Sequence, residues 1–72
     1  RWTAQPNPFR VGTWIQSSEN AISHIEITNA LGQVVQVFEG AGPFFWTGDV
    51  PGMYWVRIYG ESGVEVISLV KE

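Results

Sequence analysis

All eight glycines and all four prolines of this 72-residue chain fall between short apolar segments. Glycine and proline punctuate regular structure, so a chain divided this often turns repeatedly and leaves little room for long helices. The segments between them read as strands. Ile25 and Ile27 alternate with His24, Glu26 and Thr28, a period of two that commits one face to a core. Residues 33–39, QVVQVFE, are β-branched and stop at Gly40, which favours a strand over a short helix. The intervening NALG, residues 29–32, reads as a hairpin connection with Gly32 at positive φ. Farther on, FFWTG (44–48) is a short strand. Val50, Pro51, Gly52 and Met53 suit a type II turn, with proline presetting φ at the second position and glycine accepting positive φ at the third. In residues 53–59, Tyr54, Val56 and Ile58 share one face, while Met53, Trp55, Arg57 and Tyr59 share the other. The first face is the core candidate, because Arg57 interrupts the second. Residues 60–63 turn tightly into the last strand, 64–71. Adding residues 13–16 and the segment around Gln5 gives about seven strands at the spacing of an all-β sandwich.

Size and charge narrow the function. A single domain this small buries only about 60% of its unfolded surface, so every large apolar side chain matters. With 44% hydrophobic and 15% charged residues it still assembles one core. There is no cysteine, hence no disulfide or thiolate metal site. Four cations face seven carboxylates, which leaves no basic stripe to neutralise nucleic-acid phosphates. No apolar run reaches the roughly 20 residues of a membrane-spanning helix. The chain opens at Arg1 rather than at a methionine, so it reads as a piece of something longer.

Chemistry has few residues to work with. His24, the one histidine, falls on the polar side of its strand and reads as solvated. Asp49, the one aspartate, precedes the Val-Pro-Gly turn, where a carboxylate caps backbone N–H groups. Glu61 and Glu65 read as exposed, and residues 17–20 as a solvated turn. No nucleophile with a base, no phosphate loop and no ligand set stands out, so neither catalysis nor a cofactor is expected. The compositional excess is aromatic: Trp2, Trp14, Trp46 and Trp55 accompany two tyrosines and four phenylalanines. Most of these serve packing. Trp55, opposite in facing to Tyr54, is the best candidate for an exposed platform.

QPNPF, residues 5–9, begins the chain's apolar pattern awkwardly. Pro6 and Pro8 lack N–H groups and push Gln5 and Asn7 toward extended geometry. The expectation is a stiff extended piece that pairs along one edge only, with Phe9 dropping into the core as an anchor.

Together, PNPF near the start, ISHIEITNALGQVV in the middle, DVPGMYWVRI later and ISLVKE at the end resemble the C-terminal sorting domain of the type IX secretion system of Bacteroidota. The likeness covers nearly the whole chain, in order and spacing. It implies a seven-stranded immunoglobulin-like sandwich at the end of a larger exported cargo. Such a domain is recognised by the outer-membrane translocon and its shuttle proteins, and a surface sortase commonly cleaves it off. The mature cargo is then commonly attached to anionic lipopolysaccharide or released, so the location implied is the outer membrane, cell surface or extracellular space. On this reading residues 1–4 are a linker from the upstream cargo domain and residues 5–72 the sorting domain. The proline motif matches Pro6, Asn7, Pro8 and Phe9. The hairpin motif matches Asn29, Leu31, Gly32 and Gln33, the Gly-x-Tyr motif Gly52 and Tyr54, and the terminal signal Leu69, Val70 and Lys71. Ser68 and Glu72 stand where a further basic residue is expected, so Lys71 is the sole cation of the last ten residues. The terminal strand is expected to pair with a partner's sheet edge, and the excised domain to self-associate. The alternative is a glycan-binding or structural immunoglobulin-like module, such as that of flagellar hook-capping proteins.

Overall fold

A computed structural model describes residues 2–17, 22–61 and 63–72. Seven strands follow in order: β1 (Trp2–Gln5), β2 (Thr13–Ser17), β3 (Ile22–Asn29), β4 (Val34–Glu39), β5 (Phe44–Trp46), β6 (Gly52–Gly60) and β7 (Gly63–Lys71). They form a three-stranded sheet, β1-β2-β5, and a four-stranded sheet, β4-β3-β6-β7, with every strand pair antiparallel. This is the immunoglobulin-like arrangement, here with the fourth strand beside the third.

The alternation read from sequence places the core. Ile25 and Ile27 are fully buried, and Tyr54, Val56 and Ile58 are at most 2% exposed. Trp2, Ile15, Phe44 and Trp46 close the core from the three-stranded sheet. The rings meet in two clusters. Trp2 and Phe38 each stack on Phe44, while Trp46 contacts Phe9 and, edge-on, Tyr54. The radius of gyration, 11.2 Å, is that of a tightly packed chain of this length.

Several expectations need correction. Trp2, Thr3 and Ala4, read as linker, are sheet residues; Trp2 is 5% exposed and anchors β1. The prolines therefore mark the end of a strand rather than lie inside one. Residues 6–8 bend instead of running straight, and the bonds preceding Pro6 and Pro8 are both cis. Gly52 does take positive φ, but at 149° rather than the roughly 80° of a type II turn. That corner is held by the Tyr54 hydroxyl, which donates to the Val50 carbonyl, the tyrosine-corner contact of immunoglobulin-like sandwiches. Asp49 is exposed and caps nothing among the described residues. Glu65, read as exposed, is half-buried, because it lies opposite Ile58 and so on the inner side of β7. The turn read at residues 17–20 lies, beyond Ser17, outside the described residues.

Candidate functional site

The sequence motifs at the two ends of the chain meet along the outer edge of β7. In an antiparallel ladder alternate residues direct their backbone groups to opposite edges. Gly63, Glu65, Ile67, Leu69 and Lys71 alternate with residues whose backbone groups face away from β6, namely Val64, Val66, Ser68 and Val70. The proline motif reaches that outward edge. The Asn7 side chain donates from Nδ2 to the Ser68 carbonyl at 2.8 Å and accepts at Oδ1 from the Val70 N–H at 3.0 Å. A primary amide carries one donor group and one acceptor, so it reproduces what a neighbouring strand would offer. Two residues on, the backbone itself takes over. The Phe9 N–H donates to the Val70 carbonyl at 2.9 Å, and the Glu72 N–H donates to the Phe9 carbonyl at 2.8 Å, a parallel bridge. Phe9, 1% exposed, drops into the core as expected. Pro6 takes part through its carbonyl, which accepts from the fully buried Thr13 hydroxyl at 2.8 Å. Pro8 contributes no N–H, and the backbone pairing of this stretch with the end of the chain is made by Phe9.

The terminal signal folds back on this lace. Leu69 is fully buried. The Lys71 ammonium donates to the carbonyls of Arg10 and Thr47, each at 2.9 Å, and lies 5.3 Å from the centroid of the Phe9 ring. Cation–π attraction adds to these charge-assisted hydrogen bonds. Gly48 makes the approach possible: at φ 71° it suits glycine, and a Cβ there would lie 2.9 Å from Lys71 Cδ. Glu72, where a basic residue was expected, pairs with Arg10 at 3.1 Å on the surface. The expected edge pairing of Leu69 to Lys71 with a partner therefore needs revision. Both edges of this segment are already engaged within the domain, and the open part of the edge is at Val64 and Val66, which are 56% and 51% exposed.

The hairpin motif is a self-contained turn. Asn29 Oδ1 accepts from the N–H groups of Leu31 and Gln33, at 2.9 and 3.0 Å, and its Nδ2 donates to Gln33 Oε1 at 2.9 Å. The Gly32 N–H donates to the Asn29 carbonyl at 3.0 Å, and Gly32 sits at φ 84°, the positive value expected of it. Asn29, Gly32 and Gln33 thus build the turn, whereas Leu31 projects from its tip, 83% exposed. In the Gly-x-Tyr motif, Gly52 and Tyr54 build the corner described above. Thus Leu31, the half-buried Val70 and the exposed Pro6 and Pro8 are the motif side chains that leave apolar surface in reach of a partner.

The aromatic surface lies elsewhere than expected. Trp55 is half-buried, whereas Trp14 is 48% exposed and packs against Phe45 across β2 and β5, centroids 4.9 Å apart. The Phe45 ring lies against Gly12, where a Cβ would come within 2.2 Å of it. The signal for Trp14 was present in sequence: Thr13 and Ile15 take the inner face of β2, so Trp14 must take the outer one. Gln5 and Gln16 flank it. His24, read as solvated, is partly exposed but stacks on Tyr59 at 4.5 Å. Among the described residues no three carboxylate, histidine or cysteine side chains cluster to hold a metal ion, and no helix is long and apolar enough to cross a membrane. A comparison with known protein families and with curated proteins finds no match to this chain.

Proposed function

We propose that this chain is a non-catalytic sorting domain of the type IX kind. It directs an upstream cargo through the outer-membrane translocon and is then removed by a surface sortase. The observation that carries the reading is the lace between Asn7, Phe9 and the strand ending at Lys71, residues more than 60 positions apart. A sorting signal must present one reproducible surface, and these contacts fix the terminal strand in a single register. They also give the four resembling stretches a shared physical role, since each one either closes a turn or ties the termini together. On this reading the translocon meets a folded face, with Val70 and the Leu31 tip as contact points, and Lys71 acts by shaping that face.

The test is a reporter carrying an export signal at its start and this chain at its end, expressed in a Bacteroidota strain with an intact type IX system. The full chain should bring the reporter to the cell surface or medium. Removing residues 69–72 should leave it in the periplasm, and undiminished secretion of that truncation would sink the proposal. The glycan-binding alternative draws its support from the exposed Trp14 and Phe45 rings flanked by amides. It ranks second because those rings line a shallow surface, whereas ligand sites are concave.

A further inference from the structure

The outer face of the four-stranded sheet departs from the polar surface such a face normally shows. Val34, Val37, Val64, Val66 and Met53 are each 45–56% exposed. The ladders set these side chains in rows across the sheet. The middle row runs Val37, Glu26, Arg57, Val66, from β4 to β7. Its two charges are direct cross-strand neighbours, yet they do not pair with each other. The Glu26 carboxylate instead accepts from the Tyr59 hydroxyl at 3.2 Å and lies 3.7 Å from His24 Nε2. Arg57 is exposed and has no ion pair among the described residues. The pattern is apolar, acidic, basic, apolar.

That pattern is complementary to itself. Rotate a second copy by half a turn about an axis parallel to the strands, midway between β3 and β6, and lay it on the first. Strand β6 then faces β3 of the other copy, and β7 faces β4. Arg57 meets Glu26 of the second copy twice over, and Val66 meets Val37. The row above places Trp55 over Thr28, and the row below places Tyr59 over His24. Turning the copy about an axis across the strands would instead set Arg57 on Arg57 and Glu26 on Glu26, so the charges select one packing and oppose the other. Trp, Tyr, Met and Arg at the centre of a patch are the composition of protein–protein contacts.

We infer that this face is the contact between two copies of the chain, a two-fold pairing of the four-stranded sheets registered by reciprocal Arg57 and Glu26 ion pairs. It goes beyond the sorting proposal and does not depend on it. Four strands about 4.8 Å apart and rows about 6.8 Å apart give a footprint of roughly 19 by 20 Å. A contact of that size belongs to weak, concentration-dependent association. The formal charge of −3 per copy opposes it only mildly, since salt screens charges beyond about 8 Å.

Sedimentation equilibrium of the 72-residue chain from about 10 µM to about 1 mM, a range matched to weak association, tests this. The mass should rise toward a dimer. Arg57→Glu should weaken association at least about tenfold, and the double exchange Glu26→Arg with Arg57→Glu should restore it to within a few-fold. Thermal melts establish that each variant folds. If Arg57→Glu does not, Val66→Lys at the exposed flank should weaken association similarly. Trp14→Ala, on the opposite sheet, should leave it unchanged. A monomer throughout the range overturns the inference. So does association that Arg57→Glu leaves intact, that the double exchange fails to restore, or that Trp14→Ala removes.

Discussion

Asn7 and Asn29 use the same chemistry over different distances. Each lends a side-chain amide to backbone groups that would otherwise face water or nothing. Asn29 serves its own turn, two and four residues ahead. Asn7 serves a strand 61 and 63 residues away. The first arrangement forms as soon as the local chain turns. The second holds only when both sheets are in place, so it reports on the whole fold. The bonds also divide differently. Asn29 needs only its oxygen for the backbone, since its amide nitrogen goes to Gln33 Oε1. Asn7 needs both ends of the amide.

That division can be tested by substitution. Asn7→Ala removes two hydrogen bonds between the proline segment and β7 and should cost about 1–2 kcal/mol, lowering Tm by roughly 4–16 °C. Hydrogen exchange of the Val70 amide should accelerate with it. Asn7→Asp should cost nearly as much at neutral pH, because a carboxylate cannot donate to the Ser68 carbonyl. Its deficit should shrink below about pH 4, where the new carboxyl binds a proton and regains a donor. A neutral Asn7→Asp melt equal to the parent would show that one bond carries the contact.

A smaller effect is expected at the turn. Asn29→Asp keeps the oxygen that accepts from Leu31 and Gln33, and aspartate suits such turns, so Tm should move within the equivalent of about 0.5 kcal/mol. Asn29→Ala should cost about 1 kcal/mol. Equal losses for the two aspartate variants would erase the distinction between local and distant roles. The smallest effect belongs to Arg10→Ala. Its bond to Glu72 is solvent-exposed, and removing it should shift stability by less than about 0.5 kcal/mol in a denaturant melt. A larger loss would mean that the ion pair, rather than Asn7 and Phe9, holds the terminus.

The same contrast explains how far sequence alone could see. The alternation in residues 24–28 and 54–58 placed both core strands, because a half-buried strand declares its inner face every second residue. Gly32 declared its turn for a similar reason, since the requirement is local. The proline segment was misread because Pro6 and Pro8 describe what the backbone cannot do and say nothing about what the Asn7 side chain reaches. Trp14 and Trp55 each lie on an outer face by alternation, and their exposures differ through their neighbours. Both lie on central strands, Trp55 on β6 between Thr28 and Ser68 and Trp14 on β2 between Gln5 and Phe45. Which strands flank a residue is a property of topology. The roles of Arg10 and Thr47 were hidden for a further reason: their carbonyls receive Lys71, and a backbone carbonyl has no signature in sequence.

Lys71 carries one more consequence, which concerns time rather than space. Its ammonium joins carbonyls contributed by residues 10 and 47, and its backbone neighbours close the partnership with Asn7 and Phe9. Synthesis delivers residue 71 last of the three, 24 residues after Thr47 and 61 after Arg10, and contacts of such separation form late. This seam of the sandwich therefore stays open until residue 71 has been made. A copy broken off before Val70 keeps only the Asn7 bond to the Ser68 carbonyl among these contacts, so the complete set certifies that translation has passed that point.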